Sequence, residues 1–232
     1  MKQISFLLFI AILFGSCGTH PMASAATDKV GGDTTIVESL FDDKSSSISE
    51  ENIRKLLDGT YQLPASLRIA IVRLGTSKQR RYFWNDEYFQ KSQQSYLDSF
   101  TVRLRSSHRV ASVSVVPSIM MASTPSFTSI REAAVRMQCN MVLVYSISGD
   151  YYSRYNLFKN PDLKAFATTE LLLMDVRTGL IPFSTTVTRD VLTRKTKDDL
   201  DVEQTRDRVL NEAALATIND VGSRIVSYLG NP

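Results

Sequence analysis

Histidine, cysteine and tryptophan are nearly missing from this chain. There are two histidines, two cysteines and one tryptophan in 232 residues. Metal or triad chemistry built on several histidines is therefore excluded. The glycine and serine signatures of common catalysts are missing too. There is no G-x-S-x-G elbow, no P-loop, no G-x-G-x-x-G and no H-E-x-x-H. A formal charge of +3 is too small to argue for nucleic acid as a partner. Beyond the first residues, no run is long and apolar enough to cross a bilayer as a helix. No internal repeat occurs. On these grounds the chain reads as a non-enzyme, with no catalytic residue, no metal and no cofactor.

What is present starts at the N-terminus. Lys2 supplies a positive charge, residues 4–14 are almost entirely apolar, and Gly15, Ser16 and Cys17 follow. A short basic stretch, an apolar stretch and small residues describe a secretory signal. About eleven apolar residues span only roughly 16 Å as a helix, half of a bilayer core. A cysteine directly after two small residues resembles a bacterial lipoprotein signal, with Phe14 where such signals usually carry Leu. The resemblance implies that residues 1–16 are removed and that Cys17 carries lipid. The alternative is cleavage after Ala23-Ser24-Ala25, which leaves a soluble secreted protein. If Cys17 is lipidated, the charge falls to +2 as Lys2 leaves, and Cys139 has no partner for an internal disulfide. Cys139 is then expected as a buried structural thiol.

Residues 17–47 read as the lipidated cysteine and a flexible tether, rich in Ser, Thr, Ala, Gly and Asp. About 30 such residues have a root-mean-square span of roughly 30 Å. Residues 48–232 are left as a single domain. Hydrophobic content of 43% and charged content of 22% are ordinary for a globular protein.

Periodicity lays out the domain. Ser47-Ile48-Ser49-Glu50 is a capping-box pattern that opens a helix stopped by Gly59. Residues 67–74 alternate as a strand. After a polar, basic loop, Asp86 caps a helix with Phe89, Tyr96, Leu97, Phe100 and Leu104 on one face. Residues 109–116 form a strand closed by Pro117, and residues 126–138 a helix. Residues 140–148 read as a central strand, followed by a long loop over 149–163. Residues 165–175 and 180–192 are two strands joined by a hairpin turn. Residues 199–229 form a long amphipathic helix ended by Gly230. The fold class is α/β: a mixed five-stranded sheet, helices on its faces and a long C-terminal helix.

Two segments carry a family resemblance. One is residues 131–149, REAAVRMQCNMVLVYSISG. The other is residues 171–184, LLLMDVRTGLIPFS, with a D-x-R-T-G turn. They resemble the envelope α/β domain of CsgG-like curli secretion lipoproteins, LpoB-type activators of penicillin-binding proteins and the amino-terminal domain of TolB. Such proteins often carry Gly-Ala-Asp where this chain has Gln138-Cys139-Asn140. The resemblance implies a lipid-anchored, non-catalytic accessory of an envelope complex. The alternative it implies is a channel subunit of the curli-exporter type. Insertion 149–163 is too short for two spanning strands of about ten residues each. Gly18 lacks the aspartate that retains some lipoproteins in the inner membrane, which favours the periplasmic face of the outer membrane. The partners implied are the bilayer through Cys17 and an envelope protein; a homo-oligomer is compatible.

Partner binding is expected from two segments. In the first, Arg80, Arg81 and Trp84 belong to a basic run followed by aromatics, a composition typical of recognition surfaces. The second holds Tyr151, Tyr152, Arg154 and Tyr155, aromatics that are costly to expose without a partner. Both are expected on one surface at one edge of the sheet. Asp175 and Gly179 read as turn residues, Asp accepting backbone hydrogen bonds and Gly supplying a positive φ. Asp198, Asp199 and Asp201 suit a helix start.

Overall fold

The computed structural model describes residues 48–75, 86–122, 124–156, 159–194 and 202–230. Helix α1 (Glu50–Asp58) starts two residues later than the capping-box pattern predicts. Ser49 is the N-cap, and its hydroxyl accepts from the Asn52 N–H at 3.4 Å. That position puts Glu50 and Glu51 in the first turn, against the positive end of the helix.

Strand β1 (Leu67–Leu74) lies between β2 (Val110–Val115) and β3 (Met141–Asn156), parallel to both. Strands β4 (Lys159–Asp175) and β5 (Phe183–Arg194) follow antiparallel, completing the order β2-β1-β3-β4-β5. The mixed five-stranded sheet is thus as the periodicity predicts. Residues 149–163, expected as a loop, are instead mostly strand. The β3–β4 register runs unbroken from Met141↔Asp175 to Arg154↔Asp162, and its irregularity falls between Arg154 and Asn156. Gly149, Asn156 and Pro161 carry a loop's composition, but pairing along the rest of the hairpin overrides it. Pro161, which has no N–H to donate, lies beside the irregular step.

Helices α2 (Asp86–Arg105) and α4 (Val202–Gly230) cover one face of the sheet. Leu67, Ile69 and Ile71 of β1 and Leu143 of β3 meet Phe100 and Leu104 of α2 and Val209, Ile218, Val221 and Ile225 of α4. Each such side chain contributes about 1.5–3 kcal/mol on burial. Close approach of α4 requires Gly149, where a Cβ would lie 2.7 Å from the Phe166 oxygen and 2.8 Å from Leu210 Cδ1. On the opposite face, α3 (Phe127–Arg136) packs Ile130, Ala133 and Ala134 on Ala70, Val72, Val142, Val144 and Met174.

The two segments that carry the family resemblance meet at the base of the sheet. Arg131 of α3 donates to the carbonyls of Val176 and Arg177, at 2.9–3.0 Å. These belong to the β4–β5 turn. Within it, Asp175 Oδ1 accepts from the N–H groups of Arg177 and Thr178 at 2.8 and 2.9 Å. Gly179 has φ +74°, as a turn glycine should. Tyr61 donates to Asp175 Oδ2 at 3.2 Å. Burial, with Asp175's charge adding to it, pushes the Tyr61 phenol upward from its ordinary pKa.

Helix α3 ends with the N–H of Gln138 bonding Val135 and that of Cys139 bonding Ala134, a Schellman closure. Gln138 takes φ 57° there, the left-handed position at which glycine carries no steric penalty. Asn140 then ties β3 to β1. Its Oδ1 accepts from the Arg68 N–H and its Nδ2 donates to the Ser66 carbonyl, both at 2.8 Å. Cys139 is buried, as expected, and burial pushes its thiol upward.

One buried polar pair locks α4 to the sheet. Thr217 donates to the Ala214 carbonyl at 2.7 Å, so Thr169 of β4 donates to Thr217. Both residues are fully buried. Thr217→Val strands the Thr169 hydroxyl and should cost about 1–3 kcal/mol in denaturant unfolding. Thr169→Val leaves Thr217 still bonded and should cost less; the reverse order would contradict this donor assignment.

Candidate functional site

The ten residues of α3 cover about 15 Å. The sixteen residues of β3 extend up to roughly 50 Å. Past Val144 and Leu172, no described helix packs on that face of β3, β4 and β5. Pairing and alternation place Ser146, Ser148, Asp150 and Tyr152 of β3 on this open face, where Tyr152 is exposed while Ser146 and Asp150 are buried. Beside them stand Glu170, Thr168, Phe166 and Lys164 of β4, then Ser184, Thr186, Thr188, Asp190 and Leu192 of β5.

The face is organised in two parts. Near α3 it forms a shallow groove of about 430 Å³, with Leu74, Val144, Ser146, Glu170, Ser184 and Thr186 in its lining. Ser146 donates to Glu170 Oε2 at 3.4 Å, and the hydroxyls of Thr168 and Thr188 lie 2.8 Å apart. Farther out, the surface becomes aromatic and apolar. Tyr152 stacks on Phe166 with ring centroids 6.0 Å apart. Tyr152 is 63% exposed and Leu192 70%. Lys164 pairs with Asp190 at 2.8 Å beside them. That ammonium holds the Asp190 carboxyl below its ordinary pKa. Hydroxyls, the carboxylates of Asp150, Glu170 and Asp190, and an aromatic edge line this face. Among the described residues, no group of three His, Cys, Asp or Glu side chains could hold a metal ion.

Tyr151 and Tyr152, expected together in one loop, are successive residues of β3 and point to opposite faces. Tyr151 faces α4, where its hydroxyl accepts from Arg206 Nη1 at 3.2 Å and its ring lies 4.9 Å under that guanidinium. Burial opposes the charge on Arg206, but Tyr151 and Asp207 more than offset it and raise its pKa. The expectation of one shared surface therefore fails for this pair. Arg154 and Tyr155 lie in β3 by their backbone; their side chains, with Cys17, Arg80, Arg81 and Trp84, lie outside what is described. Asp198, Asp199 and Asp201 lie outside it as well.

Phe166, Leu192 and the Ser/Thr rows are open-face residues that periodicity alone does not single out. The signal was there in β3: the even positions change from Val142 and Val144 to Ser146 and Ser148 partway along the strand.

No family model matches the sequence, and no curated protein does. Among solved structures, a putative lipoprotein from Caulobacter crescentus aligns at 10% identity and TM-score 0.40, over 70% of this chain and 90% of that one. A lipoprotein from Neisseria meningitidis aligns at 14% identity and TM-score 0.34, over 73% and 100%. A dodecameric PelC from Paraburkholderia phytofirmans aligns at 15% identity and TM-score 0.33, over 69% and 92%. These likenesses are loose, and the functional reading rests on this chain's own residues.

The two tyrosines separate structure from surface. Tyr151→Phe loses the Arg206 hydrogen bond and should cost about 1 kcal/mol of unfolding free energy. Tyr152→Ala, at an exposed site, should change it by less than about 0.5 kcal/mol. Equal losses would contradict the split.

Proposed function

We propose that this chain is a bacterial envelope lipoprotein, anchored through Cys17, whose domain is a non-catalytic binding accessory of an envelope protein complex. The observation that carries the reading is the pairing of an N-terminal lipidation pattern, residues 1–17, with an open sheet face that ends in exposed Tyr152 and Leu192. The lipid holds the domain at a membrane, and the periplasmic face of the outer membrane suits the residues after Cys17. The open face meets the partner. Arg154 and Tyr155 extend β3 beyond Tyr152.

A channel subunit of the curli-exporter type is the alternative. It needs a hairpin with one lipid-facing apolar side. The apolar side of the outer β3–β4 hairpin, with Ala165 and Ala167, is already buried in the core shared with α4. That favours the accessory.

Metabolic labelling with palmitate should mark the wild type and not Cys17→Ala, which should leave the membrane fraction. A Cys17→Ala protein that stays membrane-bound would overturn the anchor. The double variant Tyr152→Ala/Leu192→Ser should melt like wild type and recover at least about tenfold less crosslinked envelope protein, roughly 1.4 kcal/mol of binding. Unchanged recovery would overturn the open face as the binding surface.

A further inference from the structure

The end of the domain opposite Tyr152 and Leu192 is basic. Five arginines from five different parts of the chain converge there. Arg68 is the second residue of β1, and its Nε donates to the Gln138 carbonyl at 2.6 Å. Arg109 directly precedes β2, and its carbonyl accepts from the Leu67 N–H at 2.8 Å. Arg105 closes α2 and Arg136 closes α3. Arg177 sits in the β4–β5 turn, which Asn140 joins to the base of β3 through the Val176 N–H at 3.0 Å. Arg68, Arg105, Arg136 and Arg177 are exposed and Arg109 is half-buried.

The acidic groups near this end in the chain, Glu132, Asp175 and Asp58, are fewer than the five arginines. Glu132 pairs with Arg136 at 2.6 Å. Asp175 is buried, its oxygens engaged by the turn and Tyr61. Asp58 ends α1 and precedes β1 by eight residues, and Glu50 and Glu51 open that helix. Last-turn arginines suit helix ends in any protein, which accounts for Arg105 and Arg136. Arg109 and Arg177 come from a strand start and a turn, where no helix end asks for them, and Arg68 bonds the carbonyl that closes α3.

The chain's route adds a second observation. Residues 1–47 reach the domain through α1, and the segment after α1 places Tyr61 against Asp175 at this same end. We propose that this end docks on an anionic lipid surface, with Arg68, Arg105, Arg109 and Arg177 facing the phosphates of the membrane that Cys17 enters. The presence of that membrane rests on the lipoprotein reading; the docking itself needs no lipid on the protein. Each arginine held near such a surface is worth about a fivefold change in binding. Docking would turn the far end of β3, with Tyr152, away from the membrane.

The test uses the chain from residue 17 to 232 with Cys17→Ala, and so without lipid, in a vesicle sedimentation assay. It should bind vesicles with about 30% phosphatidylglycerol, ignore pure phosphatidylcholine, and release at about 0.5 M salt. Arg105→Glu/Arg109→Glu/Arg177→Glu should bind at least about a hundredfold more weakly. Lys91→Glu/Lys164→Glu, at the other end, should bind as wild type does. Melting curves accompany each variant, and Arg105→Gln/Arg177→Gln replaces the triple if that unfolds. Equal binding to neutral and anionic vesicles, or retained binding by a folded arginine variant, overturns the proposal. Such a failure leaves palmitate labelling of Cys17 untouched, and loss of labelling leaves vesicle binding untouched, so the two readings fail separately.

Discussion

A mismatch in length governs this domain. Helix α4 has 29 residues, about 43 Å, and backs nearly the whole antiparallel half of the sheet. On the other face α3 has only ten. Strands β3 and β4, at 16 and 17 residues, outrun it by more than half their length. A sheet face left without a helix must satisfy water instead of a core. Beyond Val144 the residues change accordingly to serine, threonine and paired charges. The hairpin stays ordered there because its reverse side is anchored by Gly149 under Leu210 and by the Thr169–Thr217 pair. The open face is thus a consequence of asymmetric cover, and the exposed Tyr152 and Leu192 on it stand out against a polar surround.

Much of this was legible in the residues. Element order, the parallel early strands and the antiparallel late hairpin follow from periodicity and βα alternation, whereas the spatial order β2-β1-β3 does not. The D-x-R-T-G turn behaves as its residue types dictate, because Asp175 and Gly179 act within five residues of chain. The extent of β3 was not legible. Gly149 is a close-packing glycine rather than a loop glycine, and only the position of Leu210, some sixty residues later, makes that so. The opposite sides of Tyr151 and Tyr152 follow once residues 149–156 are known to be strand, since alternation then separates neighbours. The base was legible in part. Gln138 stands in a left-handed position, where glycine is the expected residue, and Asn140 bonds sideways to β1.

The two ends of the sheet divide the work in this account. The base gathers the chain's incoming segment, the turns and the arginines. The outer hairpin carries the open face and its aromatic edge. On the proposed reading, an anchor at one end and a binding face toward the other let the domain reach from a membrane toward a partner.

The central claim is that the open face of β3, β4 and β5, rather than the helical surface, meets the partner. A photoreactive residue at Thr188, on the open face, should crosslink one envelope protein in intact cells. The same residue at Glu212, on the exposed side of α4, should not. Crosslinking from Glu212 and none from Thr188 would contradict the account.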